Sequence, residues 1–98
     1  MVSPEERALT RTSADLIKNL KYCVSEVADR LFSEDLIPED LNDRVASKDP
    51  SATREVVQCL IGRIKLDPNE FVKVVEILQG FSFLQACVEK IKECYSEL

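Results

Sequence analysis

Apolar residues recur along this chain at spacings of three and four, most clearly between Asp67 and Gly80. There Phe71, Val74, Val75 and Leu78 fall at i, i+3, i+4 and i+7 and form one apolar stripe, while Glu70, Lys73, Glu76 and Gln79 point elsewhere. The ends carry helix signals: Asp67 suits the cap, Pro68 the first helical position, Glu70 the acid of a capping box and Gly80 the stop. A helix of about three and a half turns with so full a stripe requires other elements to cover it.

The flanking segments supply them. Ser3, Pro4 and Glu6 open a first helix with Leu9, Ser13, Leu16, Ile17 and Leu20 on one side. Arg7, Arg11 and Lys18 lie nearly in line on the other side, with Lys21 a turn further. Thr10, Thr12 and Ser13 weaken helix propensity in close succession, which predicts a bend or break near residue 12. A second helix runs from about Cys23 to Ser33, with Val24, Val27, Ala28 and Leu31 inward, Phe32 at the margin and Glu26, Asp29 and Ser33 outward. The very short link before it predicts that the first two helices pack as an antiparallel hairpin.

Pro38 suits the first position of a short third helix with Leu41 and Val45 inward. Glu39, Asp40 and Asp43 crowd its outer face, where Arg44 and Lys48 are expected to neutralise them in part. A fourth helix starts at Asp49-Pro50 or Ser51 and continues to about Lys65, burying Val56, Val57, Leu60, Ile61 and Ile64 opposite Arg54, Gln58 and Lys65. Gly62 lies within its apolar arc, an invitation to close approach by another helix. After Gly80, Ser82 and Gln85 form a further capping box, and Leu84, Cys87, Val88 and Ile91 face inward on a sixth helix that reaches about Glu97, with Phe81 and Phe83 packing at the junction. Six amphipathic helices with short links account for residues 1–98, so the expected fold is all-α, one six-helix antiparallel bundle whose first helix is bent.

Composition narrows the function. The 98 residues carry 13 Lys and Arg against 18 Asp and Glu, and a net charge of −5 argues against a nucleic-acid surface, which needs clustered cations to displace counterions. No apolar run approaches the ~20 residues of a bilayer span, and no apolar core of a secretory signal stands at the start, so a soluble, cytoplasmic protein is expected. Cys23, Cys59, Cys87 and Cys94 each fall inside a predicted helix on or beside an apolar face, as reduced packing thiols do. The chain has no His, no CxxC pair and no glycine-rich phosphate loop. Neither a zinc site, another cofactor site nor an enzymatic nucleophile pair is expected; the reading is a non-enzymatic protein-binding domain.

Three stretches carry a family likeness. Residues 24–45, VSEVADRLFSEDLIPEDLNDRV, place a short acidic helix opened by Ile-Pro-Glu-Asp after an apolar one; residues 52–80, ATREVVQCLIGRIKLDPNEFVKVVEILQG, and 83–91, FLQACVEKI, continue the pattern. Over about residues 7–95 the chain resembles the death-fold superfamily, and within it the caspase-recruitment domain (CARD). Death-effector domains share the six-helix plan, but their late Arg-x-Asp-Leu signature is not found where this chain reads VEKIKEC.

The resemblance implies homotypic docking on other CARDs of receptors, adaptors or caspases in apoptotic or inflammatory signalling. A basic surface on helices one and four meets an acidic surface on helices two and three of the next molecule. Here the first would comprise Arg7, Arg11, Lys18, Arg54 and Arg63, and the second Glu26, Asp29, Glu39, Asp40 and Asp43. Arg63 departs from the pattern because its helical angle places it beside Val56. Two unlike patches on one molecule make a head-to-tail contact, which closes as a ring or continues as a filament, so homo-oligomers are expected. A competing expectation is a helical module that seats one partner helix in an apolar groove.

Overall fold

The computed structural model describes residues 3–97, and in them every regular element is helical. In order these are α1 (Pro4–Leu20), α2 (Val24–Ser33), α3 (Glu39–Ala46), α4 (Ala52–Leu66), α5 (Glu70–Gln79), a single 3-10 turn (Ser82–Leu84) and α6 (Gln85–Glu97). Ser3 caps α1 as expected, its Oγ accepting the Glu6 N–H at 3.2 Å. The break expected near residue 12 is absent, and α1 is continuous. The hydroxyls of Thr10, Thr12 and Ser13 donate to the carbonyls of Glu6, Ala8 and Thr10 at 2.8, 2.9 and 2.8 Å. Back-bonded in this way they leave the helix ladder intact.

Four other local expectations are corrected. Asp67 does not cap α5; its Oδ1 accepts the Asn69 N–H at 3.1 Å, the Asx turn that short acidic side chains form in competition with a helix, and α5 starts at Glu70. Ser82 does not cap α6, because the chain first makes its 3-10 turn, and the Gln85 amide instead donates to the carbonyl of Gln79 at 2.6 Å and, at 3.4 Å, to that of Phe81. Pro38 is the extended residue before α3 rather than its first. Cys23 lies in the α1–α2 turn, not within a helix.

The helices do not pair as the short first link suggested. α1 packs chiefly on α4 and α6, while α2 packs on α3 and α5. A short link fixes adjacency at one end only; α1 buries Ala8, Leu9, Leu16 and Leu20 completely, and the longer α4 and α6 cover that arc better than the ten residues of α2. The rest of the core is supplied by the stripes read from the sequence, among them Leu31, Leu60, Ile64, Leu78, Leu84 and Ile91. Ile77 is buried as well, because α5 contacts both α2 and α6 and so needs a wider arc than a one-sided helix. The chain bends by 117° between α5 and the segment Ser82–Ser96, with Phe81 and Phe83 edge to face at 6.0 Å beside the corner. The radius of gyration, 12.3 Å, is near the ~13 Å of a packed chain of this length.

α2 and α3 end alike, in Schellman motifs. The N–H groups of Asp35 and Leu36 donate to the carbonyls of Phe32 and Leu31, and those of Lys48 and Asp49 to the carbonyls of Val45 and Arg44. Each motif holds one residue in the left-handed region, Asp35 with φ 60° and Lys48 with φ 63°. Gly80, where such a conformation was more to be expected, has φ −68°. Nor does Gly62 mark a close approach: it is exposed, and a Cβ built on it meets nothing within 4 Å.

Candidate functional site

The packing sets α1 beside α4 and α2 beside α3, the two pairs that carry the charges singled out above. Arg7, Arg11 and Lys18 on α1 and Arg54 on α4 are all exposed, as are Glu26 and Asp29 on α2 and Glu39, Asp40 and Asp43 on α3. Among the described residues none of these nine side chains forms an ion pair.

Three charges of opposite sign on the same helices, Asp15, Arg44 and Glu55, are taken up in ion pairs, while Glu6 on α1 and Arg30 on α2 form none among the described residues. Asp15 of α1 binds Lys90 of α6 at 2.9 Å, and Asp15 raises the pKa of that ammonium. Arg44 was expected to neutralise the acidic face of α3, but it turns to α4. Its Nε donates to Asp49 at 3.0 Å and its Nη2 to Ser51 at 3.0 Å and to Glu55. The reason lies in the link: the Schellman turn at Lys48 brings Asp49 and the start of α4 back past the end of α3, within reach of a guanidinium five residues before Asp49. Hydrogen bonds from Arg44 hold the Glu55 carboxyl below the usual range, and Asp49 is held low first by the Ser51 N–H, then by the Ser51 hydroxyl and Arg44. One clamp thereby withdraws Glu55 from α4 and Arg44 from α3.

Arg63 stands apart from the other four basic residues. Nine positions separate it from Arg54, and at 100° per residue the two point to opposite sides of α4. Its side chain pairs with Glu70 at 3.5 Å and lines a small pocket with Cys59, Leu36 and Ile37, on the side of the α2–α3 link. The Glu70 carboxylate, expected to reach back to a cap, is thus used across α4 and α5.

Of the thiols, Cys87 is buried and the other three half-buried, and all four are free. Asn19 donates to the Cys87 sulfur at 3.1 Å, and burial pushes the pKa values of Cys87 and Cys59 up, away from the reactive thiolate.

One apolar feature was not anticipated. Phe71, Val72, Val75 and Tyr95 line a groove between α5 and α6, flanked by Pro68, Glu76 and Lys92. Tyr95 packs edge-on against Phe71 at 4.9 Å and its hydroxyl donates to Glu5 at 3.1 Å. Val72 is 61% exposed. The signal in the sequence was Val72 itself, an apolar residue off the stripe of its helix. Comparison with protein-family models, with curated proteins and with solved structures finds no match to this chain.

Proposed function

We propose that this chain is a CARD-like adaptor domain of the death-fold type, without enzymatic activity, that docks on other such domains, itself included, through opposite charges. Arg7, Arg11, Lys18 and Arg54 form one surface and Glu26, Asp29, Glu39, Asp40 and Asp43 the other, while Arg63 serves the α4–α5 contact. The observation that carries this reading is the withdrawal of Asp15, Glu55 and Arg44 into ion pairs, which leaves unpaired charge of mainly one sign on each helix pair. Segregated charges of this kind steer encounter and set register more than they supply affinity. Partners in this reading are cytoplasmic receptors, adaptors or caspases with a similar domain.

Sedimentation velocity over a concentration series tests it, at about 50 mM and about 500 mM salt, between which the Debye length falls severalfold. Large species are expected at low salt and monomer at high salt. Arg11→Glu and Asp40→Lys each abolish self-association, and mixing the two variants restores a limited complex because each keeps one intact surface. Monomer under every condition overturns self-docking.

The groove between α5 and α6 favours a second reading, a module that seats one amphipathic helix on Phe71, Val72 and Val75. Charge reversal at Asp40 and Asp43 separates the two, since it leaves a groove binder nearly unchanged.

A further inference from the structure

Where the α1–α2 turn meets the α3–α4 connection, the surface opens into a cleft of about 470 Å³ that neither reading above uses. Its lining is apolar where three elements converge: Val24 at the start of α2, Ala46 at the end of α3 and Pro50 in the link before α4, over the buried Val45 and Ala52. Lys21 and Lys48 also line it, both exposed, and neither forms an ion pair among the described residues. Asp49 is there too, but its carboxylate is engaged by Arg44 and by the N–H and hydroxyl of Ser51, at 3.0 and 2.8 Å. Tyr22 lies alongside with 80% of its surface open, an aromatic ring that nothing in the fold covers.

On a molecule of net charge −5 this is a positive rim around an apolar floor. The chemistry that matches it is a carboxylate on each side of one bulky aliphatic group. The acidic stripe of a second copy does not offer that combination: on α2 and α3 the residues between the carboxylates, Val27, Leu31, Leu41 and Val45, are all buried, and no leucine, isoleucine or valine there is exposed. Among the described residues the exposed large aliphatics elsewhere, Leu66 and Val72, each stand next to a lysine, Lys65 and Lys73, so a flexible segment of a different protein matches the cleft better.

We propose that this cleft docks an acidic linear segment of a partner protein, one aliphatic side chain seated on Val24, Ala46 and Pro50 and flanking carboxylates on Lys21 and Lys48. The rim charges give the segment its direction and salt dependence, and the seated side chain gives specificity over other acidic chains.

The test titrates the full chain against a fluorescein-labelled pentapeptide with one leucine between two glutamates on either side, read by anisotropy at about 50 mM salt, with amide shifts to map the site. Saturable binding is expected, with shifts confined to residues 21–25 and 45–53. Replacing the leucine by glycine, or making Lys21→Glu with Lys48→Glu, weakens binding at least tenfold; Lys21→Gln alone gives a smaller loss while leaving the circular dichroism spectrum unchanged. Arg11→Glu, which abolishes the proposed self-docking, leaves the peptide bound, so the two ideas fail separately. Lack of saturable binding, equal binding of the glycine peptide or of a lysine-flanked one, or shifts centred on Arg7 and Arg11 each overturn the proposal. Concentration-dependent shifts at the cleft without peptide also overturn it, by assigning the cleft to a second copy.

Discussion

Gly62 occupies an exposed interior position of α4 with open space where a Cβ would project. Alanine there has less freedom to lose from the unfolded chain and favours the helix, so Gly62→Ala is expected to stabilise by about 1 kcal/mol and to raise Tm by about 4–8 °C. The same change at Gly80 brings a Cβ to 3.2 Å from the Ile77 carbonyl oxygen, and the gain is expected to be smaller. Asp35 is the converse case, an L residue held at φ 60°, so Asp35→Gly is expected to raise Tm in the same melts by relieving about 1 kcal/mol of left-handed strain. Nothing in the sequence marked Asp35 or Lys48 as the end of a helix. Helix ends are sought at glycine and proline, whereas α2 and α3 stop through backbone bonds to Leu31 and Arg44 that Asp35 and Lys48 merely tolerate.

At the scale of elements, the clamp of Arg44 on Asp49, Ser51 and Glu55 joins α3 to α4. Both carboxyls have their pKa lowered from ordinary values of 3.8 and 4.5. A carboxyl depressed in the folded state adds stability that is present above its unfolded pKa and lost as pH falls through the folded one. Thermal melts are therefore expected to show Tm falling below about pH 4.5, with Arg44→Met flattening the part that Glu55 contributes; an unchanged slope in that variant would sink the assignment. Tyr95 has the opposite sign. Its phenol is raised above 10.0 by the Glu5 carboxylate, so its contribution is present at neutral pH and disappears as pH climbs past the folded value. The helices themselves were legible because burial follows helical phase, as at Leu16 and Leu20 or Val56, Leu60 and Ile64. Which helix covers which was not, since the partner of α1 depends on the relative lengths and arcs of all its candidates. For the same reason the nominated charges were readable as outward-facing, but the fates of Arg44, Asp15 and Arg63 were not: each is settled by a neighbour on another helix.

For the molecule as a whole, the seam between its first and last helices is the most widely separated in sequence. Asn19 meets Cys87 across 68 positions, Asp15 meets Lys90 across 75 and Glu5 meets Tyr95 across 90. The α2–α3 and α3–α4 contacts, by contrast, lie within one short stretch of chain. Long closures are entropically dear and come late, so the seam is expected to be missing from the transition state for folding while the α2–α4 region is present in it. Ile91→Val, which removes one methylene from the seam, then costs about 1 kcal/mol and appears almost wholly as unfolding about fivefold faster, with the refolding arm of the chevron in place. A slowed refolding arm would put α6 in the nucleus instead. The molecule would thus assemble from its middle and come apart at its ends, and the packing of α1 against α6 would govern how long a folded copy persists rather than how quickly one forms.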